Sequence, residues 1–219
     1  MLKRLCNFIF VFCILFASLA TASPLHIVVS TDDLPAAQRL LISPSSRSLL
    51  EARDEMGRTP LLLATELNRV DIARALIDAD ADVNATDAKQ NTPYLLAGAE
   101  GRLEILKMTL AHGANLASTN RYGGTALIPA AERGHVEVVR TLITAGVKVD
   151  HINRLGWTAL LEAILLSDGG AAHQEIVRLL IAAGADVNLP DREGITPLQH
   201  AVHRGYTAIA TLLRKNGAR

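Results

Sequence analysis

The 219-residue sequence predicts an all-α solenoid of about six helix-turn-helix units with short hairpin fingers. A threonine recurs at spacings of 33, 33, 33 and 38 residues, at Thr59, Thr92, Thr125, Thr158 and Thr196. An aspartate or asparagine lies five residues before each threonine, at Asp54, Asp87, Asn120, Asn153 and Asp191. A helix-ending residue keeps the same register, at Asp80, Gly113, Gly146, Gly184 and Gly217. Three markers in one register over five copies indicate a repeat architecture.

The stretch from Thr125 to Gly146 illustrates one unit. We expect Thr125 to cap a first helix, because its hydroxyl can accept a free backbone N–H of the first turn. Gly134 and His135 form the bend to a second helix, whose apolar residues recur at helical spacing. Gly146 then ends that helix, since glycine adopts the left-handed conformation at little cost.

At these motifs the chain resembles the ankyrin-repeat proteins. The matching segments are Thr59-Pro60-Leu61, Thr92-Pro93, Thr196-Pro197-Leu198, Gly134-His135, Asp82-Val83-Asn84 and Gly184-Ala185-Asp186-Val187-Asn188. The resemblance implies a curved stack of helix pairs that binds other proteins, without catalysis, through its finger tips and the exposed face of its first helices. It also implies that His135 and His173, in the interhelical turns, bond to backbone of the preceding repeat.

The markers divide the chain into a signal peptide and six units. The ranges are 1–22 (signal peptide), 23–53 (degenerate N-terminal capping repeat), 54–86, 87–119, 120–152, 153–190 (with an insertion) and 191–219 (C-terminal cap). In 23–53, the β-branched run Ile27-Val28-Val29 makes the first helix doubtful. We expect Asp80 to be left-handed, Pro129 to be the fourth residue of its helix, and Ala163 to Leu166 to prolong the first helix of the insertion unit.

Residues 1–22 read as a secretory signal peptide. Lys3 and Arg4 precede an apolar run, and Ala20-Thr21-Ala22 supplies small residues for cleavage after Ala22. The rival interpretation is an uncleaved membrane anchor, although the run is shorter than the ~20 residues that span a bilayer. Both cysteines, Cys6 and Cys13, lie in this segment, so the mature chain would contain no disulfide.

The charge balance does not favour nucleic acid or an anionic membrane as a partner. Lysine plus arginine equals aspartate plus glutamate at 22 each, and loss of Lys3 and Arg4 leaves 20 against 22. We found no nucleophile elbow, zinc-protease motif or phosphate-binding glycine loop, so the sequence predicts neither an enzyme nor a cofactor.

One alternative remains open, a metal-binding or enzymatic role through His200, His203 and Glu162. The two histidines are three residues apart on one helix, a spacing that can chelate a metal, but no third ligand is evident. Glu162 occupies the position filled by leucine or proline in the preceding units. We expect it to be solvated on the concave surface and paired with Arg133 or Arg154, or else to contact a partner.

The predicted partner-binding residues lie mostly on the fourth and fifth units. They combine arginines, aromatic residues and leucines, which are common interface residues: Arg121, Tyr122, Arg133, Arg154, Leu155, Trp157, Leu165, Leu166, Arg192 and His203. Arg121, Arg154 and Arg192 recur at one tip position and would form a ladder. In the competing interpretation, Trp157 packs on neighbouring fingers and an extended helix hides Leu165 and Leu166.

Two longer segments, Thr119 to Val139 and Gly156 to Gly170, resemble a bacterial group of exported ankyrin proteins. That resemblance implies a periplasmic module that holds one protein partner. Its role would be either to neutralise a toxin or another enzyme, or to support a stress-defence enzyme. We expect a monomer when unbound, with self-association through the apolar face as the alternative.

Overall fold

The computed structural model describes residues 22–219, and this part of the chain contains thirteen helices and no strand. The helices are α1 (Pro24–Thr31), α2 (Leu34–Leu41), α3 (Ser46–Leu50), α4 (Pro60–Glu66), α5 (Val70–Asp78), α6 (Pro93–Ala99), α7 (Leu103–Ala111), α8 (Leu127–Glu132), α9 (Val136–Thr144), α10 (Ala159–Leu165), α11 (Ala171–Ala182), α12 (Pro197–His203) and α13 (Thr207–Lys215). The predicted signal peptide, except for Ala22, lies outside the described residues.

The helices form successive pairs that stack along one axis. Within a pair the first helix packs on the second, and each first helix also packs on the first helix of the next pair. Most helices have five to nine residues, below the ~12–15 at which an isolated helix is even marginal in water. Burial of one continuous core, from Leu25 to Leu213, therefore stabilises them.

Four of the five recurrent threonines cap a first helix as predicted. The hydroxyls of Thr59, Thr92, Thr158 and Thr196 each accept a hydrogen bond from the N–H three residues later, at 3.1 to 3.3 Å. In each case the N–H four residues later also donates to the threonine carbonyl, at 2.9 to 3.0 Å. These two bonds set where each first helix begins.

Thr125 does not cap its helix, and that prediction is wrong. Its buried hydroxyl has no hydrogen-bond partner, the N-cap is Ala126, and Pro129 is the third helical residue instead of the fourth. The cause is Pro129 itself, which stands four residues after Thr125 and has no N–H to donate to the threonine carbonyl. Only the weaker bond from Ile128 N–H to that carbonyl, 3.3 Å, remains, so the helix starts late.

The N-terminal β-branched run is helical, contrary to the doubt raised from sequence. Ile27, Val28 and Val29 lie inside α1, which starts with Pro24 at its first position. Val29 is fully buried and α1 packs on α4 of the next unit. This tertiary packing outweighs the modest helix propensity of β-branched residues.

The insertion lengthens the second helix of its unit, whereas we expected it to lengthen the first. α10 ends at Leu165 with seven residues, as many as α4, and α11 has twelve. Gly169 is left-handed, and the Asp168 carboxylate accepts a hydrogen bond from the Gly170 N–H at 2.8 Å. The turn that follows α10 therefore lies after the usual first-helix length of seven residues. Asp80, by contrast, is left-handed as predicted, with φ 64°.

Within residues 22–219, none of the helices combines the length and the apolar character that crossing a bilayer requires. The longest, α11, has 12 residues.

Gly98 in α6 and Ala126 before α8 should be energetically coupled. A Cβ built on Gly98 would lie 2.8 Å from the Ala126 Cβ and 3.3 Å from its carbonyl oxygen. Gly98→Ala should therefore lower the free energy of unfolding by about 1–3 kcal/mol, although glycine to alanine in a helix normally stabilises. Adding Ala126→Gly should restore most of the loss in urea unfolding followed by circular dichroism. A single variant as stable as wild type would contradict this packing.

Candidate partner-binding groove

The fingers that precede the first helices share one anchoring interaction. In all five, the Oδ1 atom of the recurrent aspartate or asparagine accepts the N–H groups two and four residues later, at 2.8 to 3.1 Å. The backbone N–H of the same residue donates to the carbonyl four residues on. The marker found in the sequence is thus the residue that closes each finger turn.

Adjacent fingers contact each other through backbone and arginine stems. The Arg154 N–H donates to the Tyr122 carbonyl at 2.9 Å, and Arg154 Nη1 donates to the Arg121 carbonyl at 2.8 Å. A Cβ on Gly123 would meet the Arg154 Cγ at 2.9 Å, and one on Gly156 would clash with the Arg192 Cγ. Arg154 and Arg192 therefore lie across the preceding finger.

Arg121 and Tyr122 form a preorganised pair at the fourth-unit tip. The Arg121 guanidinium lies 4.6 Å from the centroid of the Tyr122 ring, and its Nη2 donates to the Tyr122 hydroxyl at 2.9 Å. Both side chains are exposed, so the pair presents a cationic edge and an aromatic face to solvent.

The fingers and first helices enclose a cavity of about 740 Å³ along the concave side. It brings together five of the ten predicted site residues, namely Arg121, Tyr122, Arg133, Leu155 and Leu166. Tyr122, Leu155 and Leu166 are 51%, 49% and 49% exposed, so this wall of the cavity is apolar and accessible. We call this cavity the concave groove.

The other five predicted residues do not line the concave groove. Trp157 and Leu165 are half-buried, whereas Arg154, Arg192 and His203 are exposed. Leu165 ends α10 and Leu166 caps it. Trp157 and Leu165 are thus partly withdrawn from solvent, whereas Leu166 is exposed and no extended first helix covers it.

Glu162 is buried, which corrects the expectation that it is solvated and paired with an arginine. Only 5% of the residue is exposed, and its Oε1 accepts a hydrogen bond from Asn153 Nδ2 at 2.7 Å. The equivalent position holds leucine in two earlier units, where Leu63 is buried and Leu96 is partly buried. Burial and the nearby Glu132 raise the pKa of Glu162 from 4.5 to about 7, against the opposing effect of the Asn153 bond.

Glutamates recur at the ends of the first helices, at Glu66, Glu100 and Glu132, and ion pairs neutralise the first two of them. Arg58 Nη1 lies 2.5 Å from Glu66 Oε2, and Arg133 Nη1 lies 2.5 Å from Glu100 Oε1. Within residues 22–219, the Glu132 carboxylate makes no ion pair. Arg133 therefore pairs with a glutamate of the preceding unit. The charge of Glu132, at the end of the concave groove nearest α10, is left without a cation among the described residues.

The interhelical histidines are structural, as the resemblance implied. His173 Nε2 bonds the Glu132 carbonyl at 2.9 Å, and His135 bonds the Ala99 backbone. Burial, and next the charge of Arg133, lower the pKa of His135, which keeps its ring neutral. Tyr206 takes the same role in the last unit, where its hydroxyl donates to the Ser167 carbonyl.

His200 also has a structural partner, the finger residue Asp191 of its own unit. Its Nε2 lies 2.6 Å from Asp191 Oδ2. Burial favours a higher pKa for Asp191, but the bonds from Ile195 and His200 outweigh it and hold the pKa of that carboxyl below its ordinary value. His203 is exposed, and the described residues hold no group of three or more His, Cys, Asp or Glu side chains placed to bind a metal.

Asn153–Glu162 and Asp191–His200 occupy the same two positions of successive units, and sequence reasoning missed both pairs. Each joins the finger residue to the residue nine positions later on the first helix. The sequence does show that two polar residues, Glu162 and His200, replace leucine at this helix position. Each could have been paired with the side-chain atom of the finger residue that does not close the turn, Asn153 Nδ2 or Asp191 Oδ2.

Comparisons with known proteins place the chain among ankyrin repeats. A family model described as ankyrin repeats matches three times, over residues 7–87, 94–191 and 150–219. An ankyrin repeat domain from Acinetobacter baumannii AYE is 59% identical, with a TM-score of 0.85 over 90% of this chain and 98% of that one. The ankyrin repeat protein EF0377 is 39% identical, with a TM-score of 0.84 over 89% and 98%. Human inversin is 42% identical over 77 residues, which are 35% of this chain and 7% of inversin.

Glu162 should make stability depend on pH between about 4.5 and 7. Because its folded pKa is raised, the folded state binds the proton more tightly than the unfolded state, and stability falls as pH rises through this window. Glu162→Gln keeps an acceptor for Asn153 and removes the charge. The variant should match wild type below pH 4.5 and exceed it by on the order of 2–3 kcal/mol above pH 7.

The measurement is urea unfolding at several pH values. The control is Glu104→Gln on α7, which removes an exposed carboxylate that pairs with Lys107 and should change stability little. A constant difference between Glu162→Gln and wild type across the pH range would contradict the raised pKa.

Proposed function

From the premise that this chain belongs to the ankyrin-repeat family, whose repeats are in general protein–protein interaction modules, we propose that it is a periplasmic module that binds one protein partner without catalysis. The partner occupies the concave groove, and the signal peptide directs export. The observation that carries the proposal is the accessible wall formed by Tyr122, Leu155 and Leu166, each about half exposed on one cavity.

Three physical features support binding at this place. The groove wall is apolar and charged residues such as Arg121, Glu132 and Arg133 line the same cavity. An apolar patch rimmed by polar groups is typical of an interaction site. The Arg121–Tyr122 pair is already assembled, so little side-chain freedom is lost on binding. The fingers are fixed by their anchoring bonds, which makes the groove a rigid surface.

The biological role follows from the partner. Toxin or enzyme neutralisation requires that the bound segment belong to the partner's active surface. Support of a stress-defence enzyme requires that the partner stay active when bound. Activity of the isolated complex therefore separates the two roles.

Site-specific photocrosslinking tests the binding face. A photoreactive phenylalanine analogue at Leu155 should crosslink one protein in cells that produce the chain. The same analogue at Ala182, exposed on α11, is the matched control and should not. Leu166→Asp should remove the crosslink formed at Leu155, because a charge in the apolar wall costs several-fold in affinity. Crosslinking at Ala182 alone would move the interface off the groove.

Export is tested on the mature protein. We expect mass spectrometry of the chain from the periplasmic fraction to show a first residue of Ser23, because cleavage follows Ala22. Retention of residues 1–22 in a membrane fraction would favour the anchor interpretation. Recovery from the cytoplasm would contradict export.

A further inference from the structure

We propose that the concave groove receives one lysine or arginine side chain of the protein partner, which enters beside Glu132 and Glu162 while apolar neighbours of that residue pack on the Tyr122–Leu155–Leu166 wall. This inference rests on the proposed function, since it specifies the chemistry of the partner segment at the same groove.

The first argument is the orientation of a buried carboxylate toward the cavity. Only 5% of Glu162 is exposed to solvent, yet this residue lines the groove. Its Oε1 is bonded to Asn153, and among residues 22–219 the structure gives its Oε2 no hydrogen-bond donor. A carboxylate can accept from a planar guanidinium or an ammonium at that second oxygen.

The second argument is charge complementarity. Glu66 and Glu100 are matched by Arg58 and Arg133. Glu132 has no ion pair in the described part of the chain, and its charge acts on Glu162. Arg121, which also lines the concave groove, is held on Tyr122 at the tip. A cation from the partner would give Glu132 and Glu162 the positive neighbour that Glu66 and Glu100 already have.

The third argument concerns the surroundings of Glu162. The elements packed against α10 carry these charged or titratable groups: Glu132 on α8 and Arg133 at its C-cap, His173, Glu175 and Arg178 on α11, and His200 and His203 on α12. Of these, only Glu132 shifts the pKa of Glu162, and it does so upward. Because none of the cationic groups named above offsets the charge of Glu162, binding of an external one should lower the pKa of Glu162, and affinity should rise with pH.

The test uses a defined probe and its neutral isostere. Acetyl-Leu-Arg-Leu-amide supplies a guanidinium between apolar residues, and acetyl-Leu-citrulline-Leu-amide has the same shape without charge. Titration at pH 8, followed by carboxyl ¹³C NMR, should show saturable binding of the arginine peptide that perturbs Glu132 and Glu162. We expect at least tenfold tighter binding than for the citrulline peptide, and weaker binding at pH 5.5.

Variants assign the effect to the carboxylate. Glu162→Gln should reduce binding of the arginine peptide to the citrulline level, and Glu132→Gln should reduce it less. Glu104→Gln should bind as wild type does. Equal binding of the two peptides, unchanged binding by Glu162→Gln, or the absence of saturable binding at pH 8 would each overturn the proposal.

The outcome is distinct from that of photocrosslinking. A partner crosslinked at Leu155, with no response of Glu162 to the arginine peptide, overturns only the cation pocket. Binding of the arginine peptide as expected, with no partner crosslinked at any groove position, overturns only the whole-partner proposal.

Discussion

One side-chain oxygen in each finger, the Oδ1 of Asp54, Asp87, Asn120, Asn153 or Asp191, sets the geometry on which the rest of the solenoid depends. It accepts two backbone N–H groups and so closes the turn that leads into the first helix. The second atom of the same side chain is then available to neighbouring groups. Asp54 accepts from Arg58, Asp191 accepts from His200, and Asn153 donates to Glu162. The finger residue is thus a donor where its neighbour is an acceptor and an acceptor where its neighbour is a donor. An aspartate at position 153 would instead place its carboxylate against that of Glu162.

The second constraint is that no helix pair is stable by itself, so each departure from the repeat must be accommodated by the next unit. Gly98 is small where Ala126 approaches, and Pro129 delays α8 by removing the one N–H that the Thr125 carbonyl would accept. The insertion is absorbed by lengthening α11 toward its N-terminus, which keeps His173 on the Glu132 carbonyl as His135 is on the Ala99 backbone. Because these adjustments leave the finger bonds of the units intact, the register of the finger and groove is preserved along the array.

The sequence alone predicts the architecture well, because period, caps and helix-ending residues are local and repeat. It predicts the site less well, for reasons that lie between units. The Thr125 cap fails because the decisive residue is four positions later, and the burial of Glu162 depends on how closely α8 and α10 pack. Ion pairing is similarly nonlocal: Arg133 reaches back to Glu100, which leaves it unavailable to Glu162. Arg154 and Arg192 belong to the fingers, and their stems lie on the preceding fingers, a contact that depends on the stacking distance between units.

The position of Glu162 gives the groove its chemical character. A leucine at the same position, as in two earlier units, would fill the slot without any desolvation cost, so the glutamate weakens the free protein above pH 4.5. Residues that break a local rule at the expense of stability concentrate where a bound state uses them. Here the cost and the unbalanced charge of Glu132 occur at the same end of the groove, next to the accessible apolar wall. A bound cation would relieve both at once, whereas a purely apolar partner would bury Glu132 as well and add to the cost. On the binding mode proposed above, the groove therefore selects for a partner segment that combines one positive charge with apolar flanks.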